Sequence, residues 1–359
     1  MNFFLVSLYV LGAISVLIAL GLTFISLIGY KREKTDVKFH GNALVIVPCR
    51  GLDLTLRDNI DSLKRQKYGN YRLMAVVDQS DDPSVDILKS LDVDYLVADF
   101  PCSKCSGKVR AIATAITRFG DFDAYVIADS DIMARENWLE KLLDPLGDLK
   151  HGASTTFPYF NPVGGVWARI KLVWGFVGLG MMESGITRFG WGGSLAFRKD
   201  IFRDGDFEFF CEFISDDIAI TKICKKNKLD IAYVPEAQPL INSSDDMSTF
   251  MEWANRQTAL SISSSDSVFT YGIIFYGLTI FLFLWAILAS IFIWHLFLLL
   301  LIPTVTNGIK SARRTRKGKV SSTLISIFIP FLYFYNLIAA HHMKQITWRG
   351  RTYDLQKFH

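Results

Sequence analysis

The sequence predicts an α/β domain with a mostly parallel, Rossmann-like sheet, held between N- and C-terminal transmembrane helices. Three observations lead there. Residues 1–30, 267–309 and 320–343 contain no Asp, Glu, Lys or Arg. Between them the charged side chains are as dense as in an ordinary globular domain. Inside 31–265, short apolar runs alternate with amphipathic stretches. The 359 residues are 50% hydrophobic and 14% aromatic, with 39 Lys+Arg against 35 Asp+Glu. Mean hydropathy is +0.26. This composition excludes a disordered chain, a small disulfide scaffold and an ordinary soluble enzyme.

The domain plan is a transmembrane helix over 1–30, a cytosolic domain over 31–265, a C-terminal membrane region over 266–343 and a basic tail over 344–359. Phe3 to Ile28 is apolar and long enough to cross about 30 Å of hydrocarbon. It has neither a basic start nor an Ala-x-Ala exit, so it reads as a retained helix. Lys31, Arg32 and Lys34 follow directly, and the positive-inside rule places the domain in the cytosol. Val268 to Thr306 would reach about 58 Å as one helix, so two helices with a turn near Ala289–Ser290 fit better. The basic run from Lys310 to Lys319 between apolar spans reads as an inside loop, not as a nucleic-acid patch. Leu324 to Ala340 contains Pro330 and either crosses once or is a Pro-broken re-entrant segment. The five cysteines read as reduced thiols, since Cys102-Ser-Lys-Cys105 is only half of a zinc pattern.

Within the domain, Ala43–Val47 is a buried strand stopped by Pro48. Leu54 to Leu63 has helical spacing, Leu73–Val77 is a strand, Val109–Ile116 a helix and Tyr125–Ala128 a strand. In such sheets ligands bind beyond the carboxyl ends of the strands. Pro48-Cys49-Arg50, Asp78-Gln-Ser-Asp81-Asp82 and Asp129-Ser-Asp131 all stand there. There is no GxGxxG and no GxxxxGK. Two acidic strand ends without a glycine-rich phosphate loop point to phosphate handled through a divalent metal, Mg2+ or Mn2+, on Asp129 and Asp131.

Taken in order, several motifs resemble the inverting GT-A glycosyltransferases of family 2, most closely the ceramide-glucosyltransferase-like branch. Val47-Pro-Cys-Arg-Gly-Leu-Asp53 with Asn59, Leu63, Gln66 and Tyr68 is similar to that branch's first strand and helix. Val77 to Pro83 resembles its first acidic motif, Ser106-Gly-Lys108 its Lys-bearing helix start, and Asp129-Ser-Asp131 its metal motif. Ser215-Asp-Asp217 resembles the third acidic motif, and Ile346 to Tyr353 the tail signature. The resemblance implies a GT-A fold and metal-dependent transfer of a sugar, glucose in that branch, from a UDP-sugar to a membrane lipid. One departure stands out. The branch has (Gln/Arg)-x-x-Arg-Trp, whereas this chain has Trp253-Ala-Asn-Arg256-Gln257, the same residue types reordered.

On this reading Asp78 and Asp82 contact the nucleoside, beside Pro48 and Arg50. Lys108 adds positive charge at the diphosphate, or is an ordinary exposed lysine. Asp217 is the general base, and Asp216 is its donor-side neighbour or an N-cap. Trp253, Arg256 and Gln257 lie on the donor side. Trp191-Gly192-Gly193 faces the acceptor, or is a tight turn with a core Trp. Val166 to Met182 lies on the membrane surface, or is a buried core helix. The competing readings are a processive polysaccharide synthase, a polyprenyl-phosphate sugar transferase and an inactive membrane adaptor.

Overall fold

The computed structural model describes residues 3–27 and 37–355. Lys31, Arg32, Lys34 and Lys357 lie outside the described residues. The chain forms two compact units. One comprises Met1–Tyr30, Arg169–Val177 and Asp245–Lys344, the other Lys31–Ala168, Gly178–Ser244 and Gln345–His359.

In chain order the elements begin with α1 (Phe3–Leu27), β1 (Ala43–Cys49), α2 (Leu56–Lys64), β2 (Tyr71–Val77), α3 (Ser84–Ser90), β3 (Tyr95–Val97), α4 (Gly107–Arg118), β4 (Ala124–Ala128) and β5 (Ile132–Met133). Then come α5 (Trp138–Leu143), β6 (His151–Thr155), β7 (Tyr159–Pro162), α6 (Gly165–Glu183), β8 (Ser194–Arg198), α7 (Asp206–Phe210), α8 (Asp216–Lys226), β9 (Asp230–Tyr233) and β10 (Leu240–Ser243). The chain closes with α9 (Met247–Ser264), α10 (Asp266–Phe292), a 3-10 segment His295–Leu301, α11 (Ile302–Arg314), α12 (Lys319–His341), β11 (Gln345–Trp348) and β12 (Arg351–Asp354).

The α/β unit is built on a seven-stranded sheet in the order β3-β2-β1-β4-β8-β6-β9. β8 runs antiparallel to both neighbours, and the remaining pairings are parallel. Strands buried on both faces need continuous apolar runs, which β1 and β4 supply. Below the sheet, Ile112 and Ile116 of α4 pack with Leu44, Ile46, Tyr125, Phe197 and Phe210. Each such side chain contributes about 1.5–3 kcal/mol on burial.

Several expectations shift in detail. Pro48 does not stop β1, which continues to Cys49 with Pro48 opposite Val76. Pairing to β4 ends at Ile46 with Ile127, so on that side no ladder bond needs the missing N–H. Leu54 is exposed and precedes α2, whose buried face is Leu56, Ile60 and Leu63. Cys102 and Cys105 form a disulfide rather than two thiols, their Cα atoms 5.9 Å apart in the loop before α4. Cys49, Cys211 and Cys224 are free and buried. The basic tail is folded: β11 and β12 pair as a hairpin within the α/β unit, anchored by the buried Ile346.

In the helical unit, Ala19 of α1 packs with Leu282 and Ala286 of α10 and with Leu300, the alanines allowing close approach. Ser26 and Thr306 share a hydroxyl hydrogen bond of 3.0 Å. α10 runs past Ala289–Ser290 because Ser290 bonds back to the Ile287 carbonyl and stays helical; the chain turns at Ile293–Trp294 instead. α12 is continuous through Pro330. The middle of α6, Arg169–Val177, belongs to this unit. Trp174 stacks on Tyr333 at 4.5 Å and donates to Asn336, and Arg169 donates to Ser321. Four helical segments, Val10–Leu27, Ser267–Phe292, His295–Arg314 and Lys319–His341, are long and apolar enough to cross a membrane.

Trp138 is the largest fully buried side chain, and its indole N–H donates to Ser194 at 2.8 Å. Trp138→Ala is expected to destabilise the α/β unit by about 3–5 kcal/mol. Trp138→Phe, which keeps most of the packing, is expected to cost about 1 kcal/mol for the lost hydrogen bond, plus a smaller packing term. Denaturant unfolding of the detergent-solubilised protein followed by tryptophan fluorescence measures both.

Candidate active site

The polar residues at the sheet's carboxyl edge meet in one cluster within the α/β unit. Its centre is Lys108, the second residue of α4. Ser106 caps that helix by accepting from the Val109 N–H, which sets where the helix starts and so where Lys108 points. The Lys108 ammonium lies 2.7 Å from Asp129 Oδ1, 3.2 Å from Asp216 Oδ1 and 3.1 Å from the Gly192 carbonyl. Its side chain is only 11% exposed. The alternative of an ordinary surface lysine is thereby excluded.

Burial by itself would lower the Lys108 pKa, but the fields of Asp129, Asp216 and Asp217 outweigh it and hold the amine firmly protonated. Burial pushes the Asp216 carboxyl upward and Lys108 opposes that, with Asp217 and Asp129 adding to the rise. Asp216 is therefore the carboxyl of this cluster pushed towards protonation. It is not an N-cap: Ser215 occupies that position, and Asp216 is the buried first residue of α8. Gly192 is required beside it, because a Cβ there would collide with the Asp216 carboxylate.

Asp217 faces differently. It is half-buried, accepts from the Ser215 hydroxyl and the Ile218 N–H on one oxygen, and from the Gly192 N–H at 3.3 Å on the other. Trp191-Gly192-Gly193 thus lines the same cluster, with Gly193 leaving room for the Trp191 ring. The Asp129 N–H donates to the Gly193 carbonyl, joining this turn to the acidic turn after β4.

That acidic turn is held from behind. Asn59 donates to the Ser130 carbonyl at 3.0 Å, and Ser130 donates to Asp53. Asp129 and Asp131 offer hard oxygen donors from one turn. A divalent cation carried by a diphosphate requires only one or two carboxylates, with phosphate and water completing its shell. Among the described residues no group of three or more His, Cys, Asp and Glu side chains forms a cage for an ion. The donor set therefore fits a cation arriving with a nucleotide.

Just beyond β2, Asp78 accepts from Arg50 at 3.2 Å and from Arg351 at 2.9 Å, while Pro48 is the penultimate residue of the adjacent strand. Asp82, expected beside the nucleoside, accepts from the Gly51 N–H and from the N–H and hydroxyl of Ser84. It fastens the β1 loop to the start of α3. Trp253, Arg256 and Gln257 belong to α9 in the helical unit. There Trp253 packs edge-on to Trp174, and Lys171, paired with Asp245, lies 4.6 Å over its ring.

Sequence reasoning missed Asp53, Arg349, Arg351 and Tyr353. Arg349 donates to Asp53 and to the Arg50 carbonyl, and the Gly107 N–H donates to Tyr353 at 3.2 Å. The tail motif was legible as a pattern, but its partners lie almost the whole chain away.

A mostly parallel α/β unit with acidic loops gathered at the strand ends is compatible with a glycosyltransferase, and the family match makes the protein one. Residues 10–358 match Glycosyl transferase family 21, and the chain belongs to that family. No protein of curated function matches it in sequence. Similar solved structures include a mannosyltransferase from Pyrobaculum calidifontis in complex with GDP-Man and Mn2+, at 14% identity and a TM-score of 0.47, covering 91% of this chain and 85% of that one. Another is glucosyl-3-phosphoglycerate synthase from Mycobacterium tuberculosis with Mn2+, UDP and phosphoglyceric acid, at 14% identity and a TM-score of 0.43, covering 62% of this chain and 78% of that one.

Lys108→Met leaves the buried Asp216 and the half-buried Asp129 without their cation, and is expected to cost about 3–5 kcal/mol. Adding Asp216→Asn is expected to restore a sizeable part of it, so the two changes are non-additive. A double-mutant cycle on denaturant midpoints reads the coupling.

Proposed function

We propose that this protein is an inverting transferase that moves glucose from a UDP-sugar to a hydroxyl of a membrane lipid, with the α/β unit facing the cytosol. The observation that supports the reading is the junction of two acidic segments and the Gly192 carbonyl on Lys108, with Asp217 alone among the α8 carboxylates turned to the open side. Glucose and the lipid acceptor follow from the likeness of the motifs to the ceramide-glucosyltransferase branch.

In this mechanism Asp78, steadied by Arg50, accepts hydrogen bonds from the uracil N–H or the ribose hydroxyls, beside Pro48. Asp129 and Asp131 would hold a divalent cation, which supplies Lewis-acid stabilisation of the departing diphosphate. Lys108 holds the loops of Asp129 and Asp216 in register and contributes fixed positive charge near the leaving group. Asp217 takes the proton of the acceptor hydroxyl as that oxygen attacks the sugar from the face opposite the nucleotide. Its backbone donors, the N–H groups of Gly192 and Ile218, keep the carboxylate aimed without neutralising it. The turn Trp191-Gly192-Gly193 brings the acceptor close to the backbone.

Connectivity supports this membrane placement. Residues 37–168 and 345–355 fall in one compact unit, which favours an even number of crossings between them. Of the candidate spans after α9, α10 and the His295–Arg314 segment make an outward and return pair. α12 then lies along the membrane surface rather than through it. Lys317 and Lys319 flank its start and Lys344 its end. Val320, Leu324, Phe328, Tyr335 and Ile338 are exposed, an apolar face suited to lipid, while Ser322 and Asn336 are buried on the other side.

Purified protein given UDP-glucose, a divalent cation and extracted membrane lipids is expected to release UDP and yield a glucosylated lipid detectable by mass spectrometry. Asp217→Asn is expected to lower the rate about 10²–10⁴-fold while UDP binding persists. Unchanged turnover in that variant, or turnover in the presence of EDTA equal to that with Mn2+, overturns the assigned roles. In sealed vesicles, tags fused before Met1 and after His359 are expected on opposite faces of the bilayer. Labelling of both from one face contradicts the proposed placement.

A further inference from the structure

The C-terminal hairpin enters the cleft in a way that the reading above leaves unused. β11 and β12 are joined by Arg349-Gly350, with φ of 50° and 74°. Two successive residues at positive φ make the tight turn that matches the twist of a two-residue hairpin. Gly350 takes that conformation freely, whereas Arg349 takes it against its own preference, so the tip residue is held in place by what its side chain touches. On β12, Arg351 and Tyr353 point to one face, two residues apart. Both reach the start of α4: Arg351 bonds Asp78, and Tyr353 accepts from the Gly107 N–H. A Cβ on Gly107 would stand 2.6 Å from the Arg351 guanidinium, so glycine at that position allows the arginine to lie against the helix start.

Arg349 reaches further. It donates to Asp53, and Asp53 accepts from Ser130, the middle residue of Asp129-Ser-Asp131. The hairpin tip is thereby two hydrogen bonds from the acidic turn. Burial opposes its charge, yet Asp53, Asp131 and Asp129 together raise the Arg349 pKa, which places the guanidinium in the field of the metal-type carboxylates. A planar guanidinium held among carboxylates is equally matched to phosphate oxygens, which it grips through two parallel N–H bonds.

We infer that Arg349 is a ligand of the nucleotide diphosphate, turning from Asp53 to the phosphate oxygens when the donor enters, and that Arg351 is a positioning residue for Asp78. This rests on the donor site proposed above. The two arginines balance carboxylates that would otherwise repel one another. When the donor arrives, its phosphates offer Arg349 a second anionic partner within the same cleft.

The test is binding of UDP and of uridine to the full-length protein in detergent with saturating Mn2+, by calorimetry, with thermal unfolding recorded for each variant. Arg349→Gln is expected to weaken UDP at least tenfold and to leave uridine unchanged. Arg349→Lys, which keeps the charge but loses the paired donors, is expected to fall between. Arg351→Gln is expected to weaken UDP and uridine alike, at an unfolding temperature close to that of the unaltered protein. Equal loss of UDP and uridine in Arg349→Gln, or no loss of either, overturns the diphosphate assignment and leaves the donor site standing. An unaltered protein that binds neither UDP nor UDP-glucose overturns the donor site and the clamp with it.

Discussion

One buried ammonium organises the cleft. Lys108 stands where the acidic turn after β4 and the start of α8 would otherwise bring carboxylates together in a water-poor space. Repulsion there would splay the two loops apart. A buried ion pair adds little net stability over well-packed apolar side chains, because both groups lose their water. What it supplies is register: the loops close only where Lys108 Nζ can reach Asp129, Asp216 and the Gly192 carbonyl together. Gly192 is then committed, since its carbonyl serves Lys108 and its N–H serves Asp217.

The cleft illustrates how a cluster of carboxylates is kept folded by cations of the same chain. Its carboxylates are matched by Arg50, Lys108, Arg349 and Arg351 from three separate segments. In the proposed mechanism these same cations would serve a nucleotide diphosphate, whose developing charge fixed positive groups stabilise. The helical unit carries a parallel economy of small residues and buried polar pairs, with Asn336 accepting from Trp174 and donating to Asn255.

Much of the α/β unit was legible from local pattern. The buried strands β1 and β4, the helix α4 and the acidic residues just beyond the strands follow from apolar runs and their punctuation, which act over a few residues. Asn59 and Lys108 were legible as motif members, though not the bonds they make. Misreadings came where a tertiary neighbour overrode a local rule. Pro48 stays in its strand because the ladder on one side has already ended. The pairing of Cys102 with Cys105 depends on a loop path that spacing alone does not specify.

By itself the amino-acid order determined the parts: which stretches are apolar enough for membrane, which runs become strands, and which acidic residues fall at their ends. These are short-range properties, set by side-chain chemistry and a repeat of two or 3.6 residues. Only the tertiary structure decided the partners. Asp53 and Arg349 are separated by 296 positions, Asp78 and Arg351 by 273, and no local pattern carries information over that distance. The different surroundings of Asp216 and Asp217 were decided in the same way. Adjacent and chemically identical, they differ because one side of α8 meets a buried lysine and the other does not.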